Sequence, residues 1–287
     1  MLSRKVQSLL VKPENPCLKK TMESQTRIHP VTGETLPAAV HAATMVIFSN
    51  DPAGGAPKLL MVERVKAMAF AGGAAVFPGG KVDDADRDFA AALKSELDID
   101  EVAARLAAIR ETLEEAGLAL GLHGVIDPSD CAKARAQLHA GETLQVVCAD
   151  HGWTPDLAKL VPWARWRPPS FETRVFDTRF YLVDAGDTAL NAVVDQTENH
   201  ALFWASAAEA LELSEVGKVK VIFPTRRNLE RLALFSSYAD AAEHAADHPV
   251  ETVLTYIEER DGERWLCIPD GHGYPIRDEP IATELRG

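Results

Sequence analysis

The stretch from residue 102 to residue 118 has the apolar spacing of a helix that buries one side. Its apolar residues recur at intervals of three and four, and at 100° per residue they fall within one narrow arc. They are Val102, Leu106, Ile109, Leu113 and Ala116. Gly117 then supplies a residue that readily adopts positive φ, the conformation at which such helices commonly end. The sequence therefore predicts a helix that packs against a core along this stripe and stops at Gly117.

Three glutamates point to the opposite side of the same predicted helix. Glu111 and Glu115 are one turn apart and Glu114 is beside them, and like charges at this spacing each cost roughly a few tenths of a kcal/mol. No lysine on that side offsets the three charges. Because Mg²⁺ and Mn²⁺ prefer carboxylate and backbone oxygen ligands, the cluster predicts a site for a divalent cation. A solvated acidic face is the alternative, since exposed glutamate is common.

A glycine pair and an arginine extend the acidic cluster into a longer motif. Arg110-Glu111-x-x-Glu114-Glu115-x-Gly117-Leu118, preceded by Gly79-Gly80, resembles the Nudix box, G-x5-E-x7-R-E-U-x-E-E-x-G-U, in which U is apolar. The match has three departures. Asp86 stands where the box has a glutamate, the 23 residues 87 to 109 replace the usual seven before Arg110, and Thr112 occupies an apolar position. Whether the shorter side chain of Asp86 takes the role of the glutamate is left open.

These departures are similar to those of one subgroup of the Nudix hydrolases. Residues 76–83 (Val-Phe-Pro-Gly-Gly-Lys-Val-Asp), the long insert and residues 176–180 (Phe-Asp-Thr-Arg-Phe) resemble the coenzyme A diphosphatases of mammalian peroxisomes and their bacterial relatives, whose Nudix box is interrupted. The resemblance covers roughly residues 40 to 240. It implies a Nudix-type α/β/α sandwich with a mixed β-sheet, plus a helical insert and a C-terminal helical and hairpin extension.

The resemblance also implies roles for the residues of the motif. It makes Glu111 and Glu115 direct ligands of Mg²⁺ or Mn²⁺, the Gly79 carbonyl a further ligand, and Glu114 a ligand directly or through water. Glu114 is also counted among the catalytic residues. Arg110 is expected to hold a glutamate in place through a salt bridge, and a snorkelling surface arginine is the alternative.

The general base is expected on a loop far along the chain, as is often the case in Nudix enzymes. Glu198 and Glu172 are the candidates, and Glu198 is the one we assign. A solubilising carboxylate is the alternative for each. His151 and His200 are weaker alternatives, because imidazole titrates near neutral pH.

Substrate contacts are predicted from the cations and aromatic rings that flank the motif. Arg64, Lys81 and Arg174 are the candidates for phosphate contacts, with Lys66 and Arg179 beside them. Phe77 is the candidate for stacking on a nucleobase. Solvated loop cations and core aromatic rings are the alternatives.

Composition restricts the partners and the compartment. A net charge of −13 and a pI near 5.2 argue against a nucleic-acid or anionic-membrane surface. The four cysteines are scattered without a C-x-x-C pair, which suits a reducing cytoplasm. The expected partner is a small nucleoside-diphosphate compound and the expected location is cytoplasmic. The oligomeric state is left open, with a homodimer as one alternative.

Patterns elsewhere in the chain predict the order of elements. Strands are expected at 39–48, 58–64, 174–182 and 202–204, helices at 132–140, 206–213 and 226–235, and a terminal hairpin within 250–268. Residues 1–36 are predicted to be a disordered leader, with Met22 as an alternative start. Residues 37–224 are predicted to be the Nudix domain, with the insert at about 87–104, and residues 225–287 an extension packed on it.

The acidic motif predicts a metal-dependent hydrolase, and the resemblance implies a Nudix enzyme that cleaves coenzyme A or an acyl-coenzyme A to 3′,5′-ADP and a 4′-phosphopantetheine fragment. A pyrophosphatase for ADP-ribose or a dinucleotide is the first alternative. A non-catalytic nucleotide-binding protein with a vestigial site is the second. Asp86 and the long insert favour that second alternative, and the intact glutamates argue against it.

Overall fold

The computed structural model describes residues 28–50, 55–64, 73–168, 175–186 and 199–281. The chain divides into two units, Met1–Leu36 and Pro37–Gly287. In the first unit the described residues form one antiparallel bridge, between Ile28 and Thr35. Residues 1–27 of the predicted leader lie outside the described residues, and every helix and strand below belongs to the second unit.

The described part of the second unit consists of strands and helices that alternate along the chain in groups. The strands are β1 (Val40–Ser49), β2 (Lys58–Arg64), β3 (Ala75–Val76), β4 (Gly79–Lys81), β5 (Leu122–His123), β6 (Thr154–Pro155), β7 (Val161–Arg167), β8 (Phe176–Asp184), β9 (Asn199–Ala205), β10 (Thr252–Leu254), β11 (Tyr256–Arg260), β12 (Glu263–Cys267) and β13 (Asp278–Pro280). The α-helices are α1 (Asp84–Ala92), α2 (Ile99–Ala116), α3 (Pro128–His139), α4 (Leu144–His151), α5 (Ala207–Glu215), α6 (Phe223–Leu232) and α7 (Tyr238–Asp247), and Leu157–Lys159 forms a 3₁₀ turn.

One mixed sheet of eight strands organises the unit. Its main order is β10-β7-β8-β1-β2-β3, with β4 paired to β1 and β9 paired to β2. β1 runs parallel to β8 and β10 runs parallel to β7, whereas the remaining pairs are antiparallel. Two smaller sheets, β11-β12-β13 and β5-β6, complete the described strands.

The central strand β1 is buried on both faces, as a continuous apolar run predicts. Met45 and Ile47 join a core with helices α2, α3 and α4. Val46 and Phe48 point to the other face and join a second core with α5, α6 and α7. Helices therefore cover the sheet on both sides, and the predicted α/β/α sandwich with a mixed sheet is confirmed.

The 23 residues between Asp86 and Arg110 are helical at both ends. They comprise the last turns of α1, an exposed connection at 93–98 and the first part of α2. The C-terminal extension adds α6, α7 and the β11–β12 hairpin, and its Ile268 and Tyr274 are buried in the second core. Within the described ranges, no helix is long and apolar enough to cross a membrane.

Candidate active site

Helix α2 carries the three glutamates and begins and ends with local signals. The Asp98 side chain accepts a hydrogen bond from the Asp100 N–H at its start, and Gly117 has φ of 69° at its end. The apolar stripe packs into the core of α2–α4, as predicted. The glutamate side was expected to face solvent or a cation. In the structure β4 covers it: Glu115 is only 5% exposed, and Glu111 and Glu114 are half-buried.

Two glycines allow β4 to approach the glutamates this closely. A Cβ atom on Gly80 would lie 2.2 Å from Glu111 Oε1, and one on Gly79, whose φ is 154°, would lie 2.4 Å from the Ala43 carbonyl oxygen. The Gly79 N–H donates a hydrogen bond to Glu115 Oε2 at 2.8 Å. Any side chain at either position would displace the backbone or the carboxylate.

The strand β1 anchors the turn that precedes β4. The Thr44 hydroxyl donates to the carbonyl oxygens of Phe77 and Pro78 at 3.1 and 2.5 Å, and the Met45 N–H donates to the Pro78 carbonyl at 2.9 Å. The glycine pair is therefore fixed to the central strand rather than to a free loop.

Arg110 forms two hydrogen bonds with the carboxylate of Asp86. Its Nε donates to Oδ1 at 3.1 Å and its Nη2 to Oδ2 at 3.0 Å, and Asp86 is 2% exposed. Asp86 also accepts the Asp83 N–H at 2.9 Å as part of the capping box of α1. The shorter side chain of Asp86 therefore does reach Arg110. It does so because α1 and α2 pack together and bring the two ends of the insert close to each other.

Arg110 also contacts two of the three glutamates. Its Nη1 donates to Glu111 Oε1 at 2.9 Å and to Glu114 Oε2 at 3.2 Å, and its Nη2 donates to the Lys81 carbonyl at 3.0 Å. Helix α2 contains no lysine, as the sequence shows, but Arg110 offsets part of the acidic charge because its long side chain bends toward Glu111 and Glu114.

The cluster still carries more negative charge than one arginine neutralises. Burial raises the pKa of Glu111 to about 8, and Glu115 and Glu114 add to the increase while Arg110 opposes it. Burial also raises the pKa of Glu114, against the opposing charges of Arg110 and His139. For Arg110, burial alone would lower the pKa, but Glu111 and Asp86 outweigh burial and raise it. An added cation would therefore be stabilised at this point.

The chemistry of the donors fits a hard divalent cation, but their present arrangement is not a finished ligand set. Three carboxylates and a glycine carbonyl offer the oxygen ligands that such ions prefer. Over the described ranges, however, no three His, Cys, Asp or Glu side chains are arranged to hold a metal ion. Glu111 and Glu114 instead contact Arg110, and Glu115 contacts the Gly79 N–H. A cation would have to draw Glu111 and Glu114 away from the arginine.

The candidates for substrate contacts are spread over different environments. Lys81 is exposed and pairs with Asp83 at 2.8 Å. Arg64 ends β2 half-buried, and its Nε has no hydrogen-bond partner among the described atoms. Phe77 is 3% exposed within the second core, so its predicted stacking on a nucleobase finds no support and the core alternative fits it. Arg174 lies outside the described residues.

The candidates for the general base stay untested predictions. Glu198 and Glu172 lie outside the described residues, as does the side chain of His200. His151 ends α4, shares a hydrogen bond of 2.8 Å with Gln137 Oε1 and stacks on Trp153. Its contacts are those of a residue that packs α3 against α4.

One residue that supports the site was not found from the sequence. Arg135 of α3 donates from Nε to the Glu114 carbonyl at 2.7 Å and from Nη2 to the Glu115 carbonyl at 3.1 Å. These carbonyls belong to the last turn of α2, where backbone acceptors lack partners inside the helix. No spacing rule connects Arg135 to the motif, because the contact depends on how two helices pack.

Comparisons with known proteins agree with this geometry. A family model described as the NUDT19 Nudix domain matches residues 88–232, which is 145 of the 287 residues. A protein from Gallus gallus named acyl-coenzyme A diphosphatase NUDT19 is 30% identical over 191 residues, covering 58% of this chain and 48% of that protein. A protein of the same name from Homo sapiens is 27% identical over 272 residues, covering 77% of this chain and 70% of that protein.

A solved structure matches the fold as well. The crystal structure of a NUDIX hydrolase from Alicyclobacillus acidocaldarius has a TM-score of 0.62 and 26% identity, covering 73% of this chain and 97% of that one. The match therefore covers nearly the whole of that protein and about three quarters of this chain.

Proposed function

This chain belongs to the NUDT19 Nudix domain family, and on that premise we propose that it is a divalent-metal-dependent diphosphatase for coenzyme A or acyl-coenzyme A. The products would be 3′,5′-ADP and 4′-phosphopantetheine or its acyl form. The names of the relatives from Gallus gallus and Homo sapiens support this substrate class. Because the chain spans about half the length of the Gallus gallus protein, the activity of that whole protein is carried over as part of the proposal.

The observation that carries the proposal is the two-point ion pair between Arg110 and Asp86. The substitution of Asp86 and the interruption of the box were the two arguments for a vestigial site. The ion pair removes both, because the insert folds as helices and returns the arginine to the acidic residue. The non-catalytic alternative therefore loses its support from the sequence.

The residues of the cluster have distinct roles in the proposed reaction. Glu111, Glu114, Glu115 and the Gly79 carbonyl would hold Mg²⁺ or Mn²⁺. Such an ion, when bound, offsets charge on phosphate oxygens and lowers the pKa of a coordinated water. Arg110 holds Glu111 and Glu114 until a cation binds, and the Gly79 N–H holds Glu115.

Water would attack one phosphorus atom of the diphosphate, and the bridging P–O bond would break. Glu198 is the proposed acceptor of the proton lost by the attacking water, with Glu172 as the alternative. Arg64, Lys81 and Arg174 are the proposed contacts for the phosphate groups of the substrate.

A substrate panel with product identification tests the proposal. Purified protein with Mg²⁺ or Mn²⁺ is incubated with coenzyme A, an acyl-coenzyme A, ADP-ribose and a dinucleotide, and the products are separated by mass. Release of 3′,5′-ADP from the coenzyme A compounds as the fastest reaction supports the proposal. Faster cleavage of ADP-ribose or a dinucleotide would favour the pyrophosphatase alternative, and no cleavage with intact binding would favour the non-catalytic one.

A further inference from the structure

Arg135 of α3 lies across the end of α2, where two of the three glutamates are. At this end the Gly117 N–H donates to the Leu113 carbonyl at 3.0 Å. The next two carbonyls along the chain belong to Glu114 and Glu115, and Arg135 donates to them from Nε at 2.7 Å and from Nη2 at 3.1 Å. One guanidinium thereby holds the backbone of two consecutive residues that the proposed function makes metal ligands.

Helix α3 is firmly placed, so Arg135 acts from a fixed support. The Asp127 side chain accepts two backbone N–H groups at the start of the helix. Ala134 and Leu138 are buried in the same core as the apolar stripe of α2. A Cβ atom on Gly117 would lie 3.6 Å from Arg135 Nη1, so the guanidinium is within van der Waals range of the residue at which α2 ends.

The part of α2 that Arg135 holds is the part of a helix that unfolds most readily. The last carbonyls of a helix have no donor within it, so the final turn frays unless another group binds them. A change in that turn would move Glu114 and Glu115 relative to Glu111, which lies one turn earlier. Mg²⁺ and Mn²⁺ prefer octahedral oxygen ligands, so displaced carboxylates would bind them less tightly.

The charge of Arg135 opposes the effect of its geometry. A positive charge near the carboxylates repels a divalent cation, so charge alone would weaken metal binding. The two hydrogen bonds are made to main-chain oxygens, and a cation on the carboxylates does not compete for them. The planar arginine fork fixes two oxygens in one geometry, whereas a lysine ammonium has no fixed orientation. Exchanging arginine for lysine therefore separates the geometry from the charge.

We propose that Arg135 is a positioning residue for the metal site. By binding both carbonyls of the last turn of α2, it sets the orientation of Glu114 and Glu115 and thereby raises the affinity for a divalent cation. The inference rests on the proposed function, because these glutamates are the proposed ligands. It gives a helix outside the motif part of the control over metal affinity.

Titration of the metal-free, full-length chain with Mn²⁺ tests the inference, because the electron paramagnetic resonance signal of free Mn²⁺ gives the Kd without a measurement of activity. Arg135→Lys keeps the charge and loses the fork. We expect it to raise the Kd about tenfold, the lower end of the range for losing a group that orients a metal ligand. Arg135→Gln should raise the Kd less, because loss of the like charge offsets part of the effect. Lys133→Arg, the reverse exchange at an exposed position of the same helix, should leave the Kd unchanged.

The outcomes separate this inference from the proposed function. A merely structural role would lower the free energy of unfolding in urea and leave the Kd of the folded variants unchanged. Unchanged or tighter binding in Arg135→Lys overturns the inference alone. Absence of Mn²⁺ binding in the wild type, or unchanged binding in Glu115→Gln, overturns the proposed metal site and the inference with it. If Arg135→Lys fails to fold, Arg135→Gln decides, and unchanged or tighter binding in that variant overturns the inference.

Discussion

Arg110 and Asp86 form a two-point ion pair, with N···O distances of 3.0 and 3.1 Å, across 23 intervening residues that include the insert. Neither side chain is free to hydrate, because both are buried. Asp86→Ala should leave a buried arginine with less compensation and lower the free energy of unfolding by about 3–5 kcal/mol. Urea denaturation measures the change. Asp88→Ala, an exposed aspartate of the same helix, is the matched control, and equal effects of the two variants would contradict the assigned role.

Substitutions of the two neighbouring glycines should have different effects. In Gly79→Ala the new Cβ meets the Ala43 carbonyl of the central strand, so we expect a loss of about 1–3 kcal/mol in unfolding free energy. In Gly80→Ala it meets the movable carboxylate of Glu111, so the fold should persist while kcat falls by roughly a hundredfold. Denaturation and turnover are measured on both variants. Similar stability losses in the two would show that β4 does not press on Glu111 as described.

Glu115→Gln tests whether the charge of Glu115 is needed for turnover, because glutamine has nearly the same shape as glutamate. The amide oxygen of glutamine can still accept the Gly79 N–H, so the fold should be kept. Loss of the charge should reduce kcat by at least about a hundredfold. Steady-state turnover with Mg²⁺ is compared with that of Glu212→Gln, an exposed glutamate on α5. A variant that retains most of its metal-dependent turnover would refute the assignment of Glu115.

Divalent cations should stabilise the folded protein. Glu111, Glu114 and Glu115 repel one another beyond what Arg110 offsets, and a ligand at about a hundred times its Kd adds about 2.7 kcal/mol by linkage. Melting temperatures are recorded with increasing Mg²⁺ and Mn²⁺. We expect Glu111→Gln to reduce the rise in melting temperature that the ions cause, and Glu212→Gln to leave that rise unchanged. A melting temperature that does not change with either ion up to millimolar concentration would count against a metal site here.

The 3′-phosphate of coenzyme A should matter to the rate. If a charged donor contacts it, its loss removes about 1.5 to 3 kcal/mol, so dephospho-coenzyme A should have a kcat/KM lower by roughly ten- to a hundredfold. ADP-ribose, which also lacks the pantetheine arm, should be poorer still. The three compounds are compared at saturating Mg²⁺. Faster hydrolysis of ADP-ribose than of coenzyme A would exclude the coenzyme A assignment while leaving the Nudix chemistry intact.

The parts of the fold that sequence predicts well are those set by local pattern. The returning strand was expected at 58–64 and is β2 at Lys58–Arg64, and the catalytic-motif helix ends at Gly117 as expected. Helix α4 was not predicted, although Thr143 caps its start and Gly152 ends it with φ of 65°. Its eight residues are too few to give a clear periodicity.

The parts that sequence did not predict depend on what packs over a residue. Glutamates opposite an apolar stripe indicate a solvent-facing side, and nothing in their spacing shows that β4 lies across them. The same limit applies to Arg135, whose bonds to the last turn of α2 come from a different helix. The burial of Phe77 also follows from the sheet rather than from its neighbours in the chain.

The exposed connection at 93–98 offers a use in protein engineering. It joins two packed helices whose far ends are fixed by Arg110 and Asp86, and Arg87 of α1 pairs with Asp100 of α2 on either side of it. Lengthening a surface loop costs only about 0.6 kcal/mol for each doubling of its length. An affinity tag or a fluorescent reporter placed there would lie within the interrupted motif itself, yet outside the contacts that the motif makes.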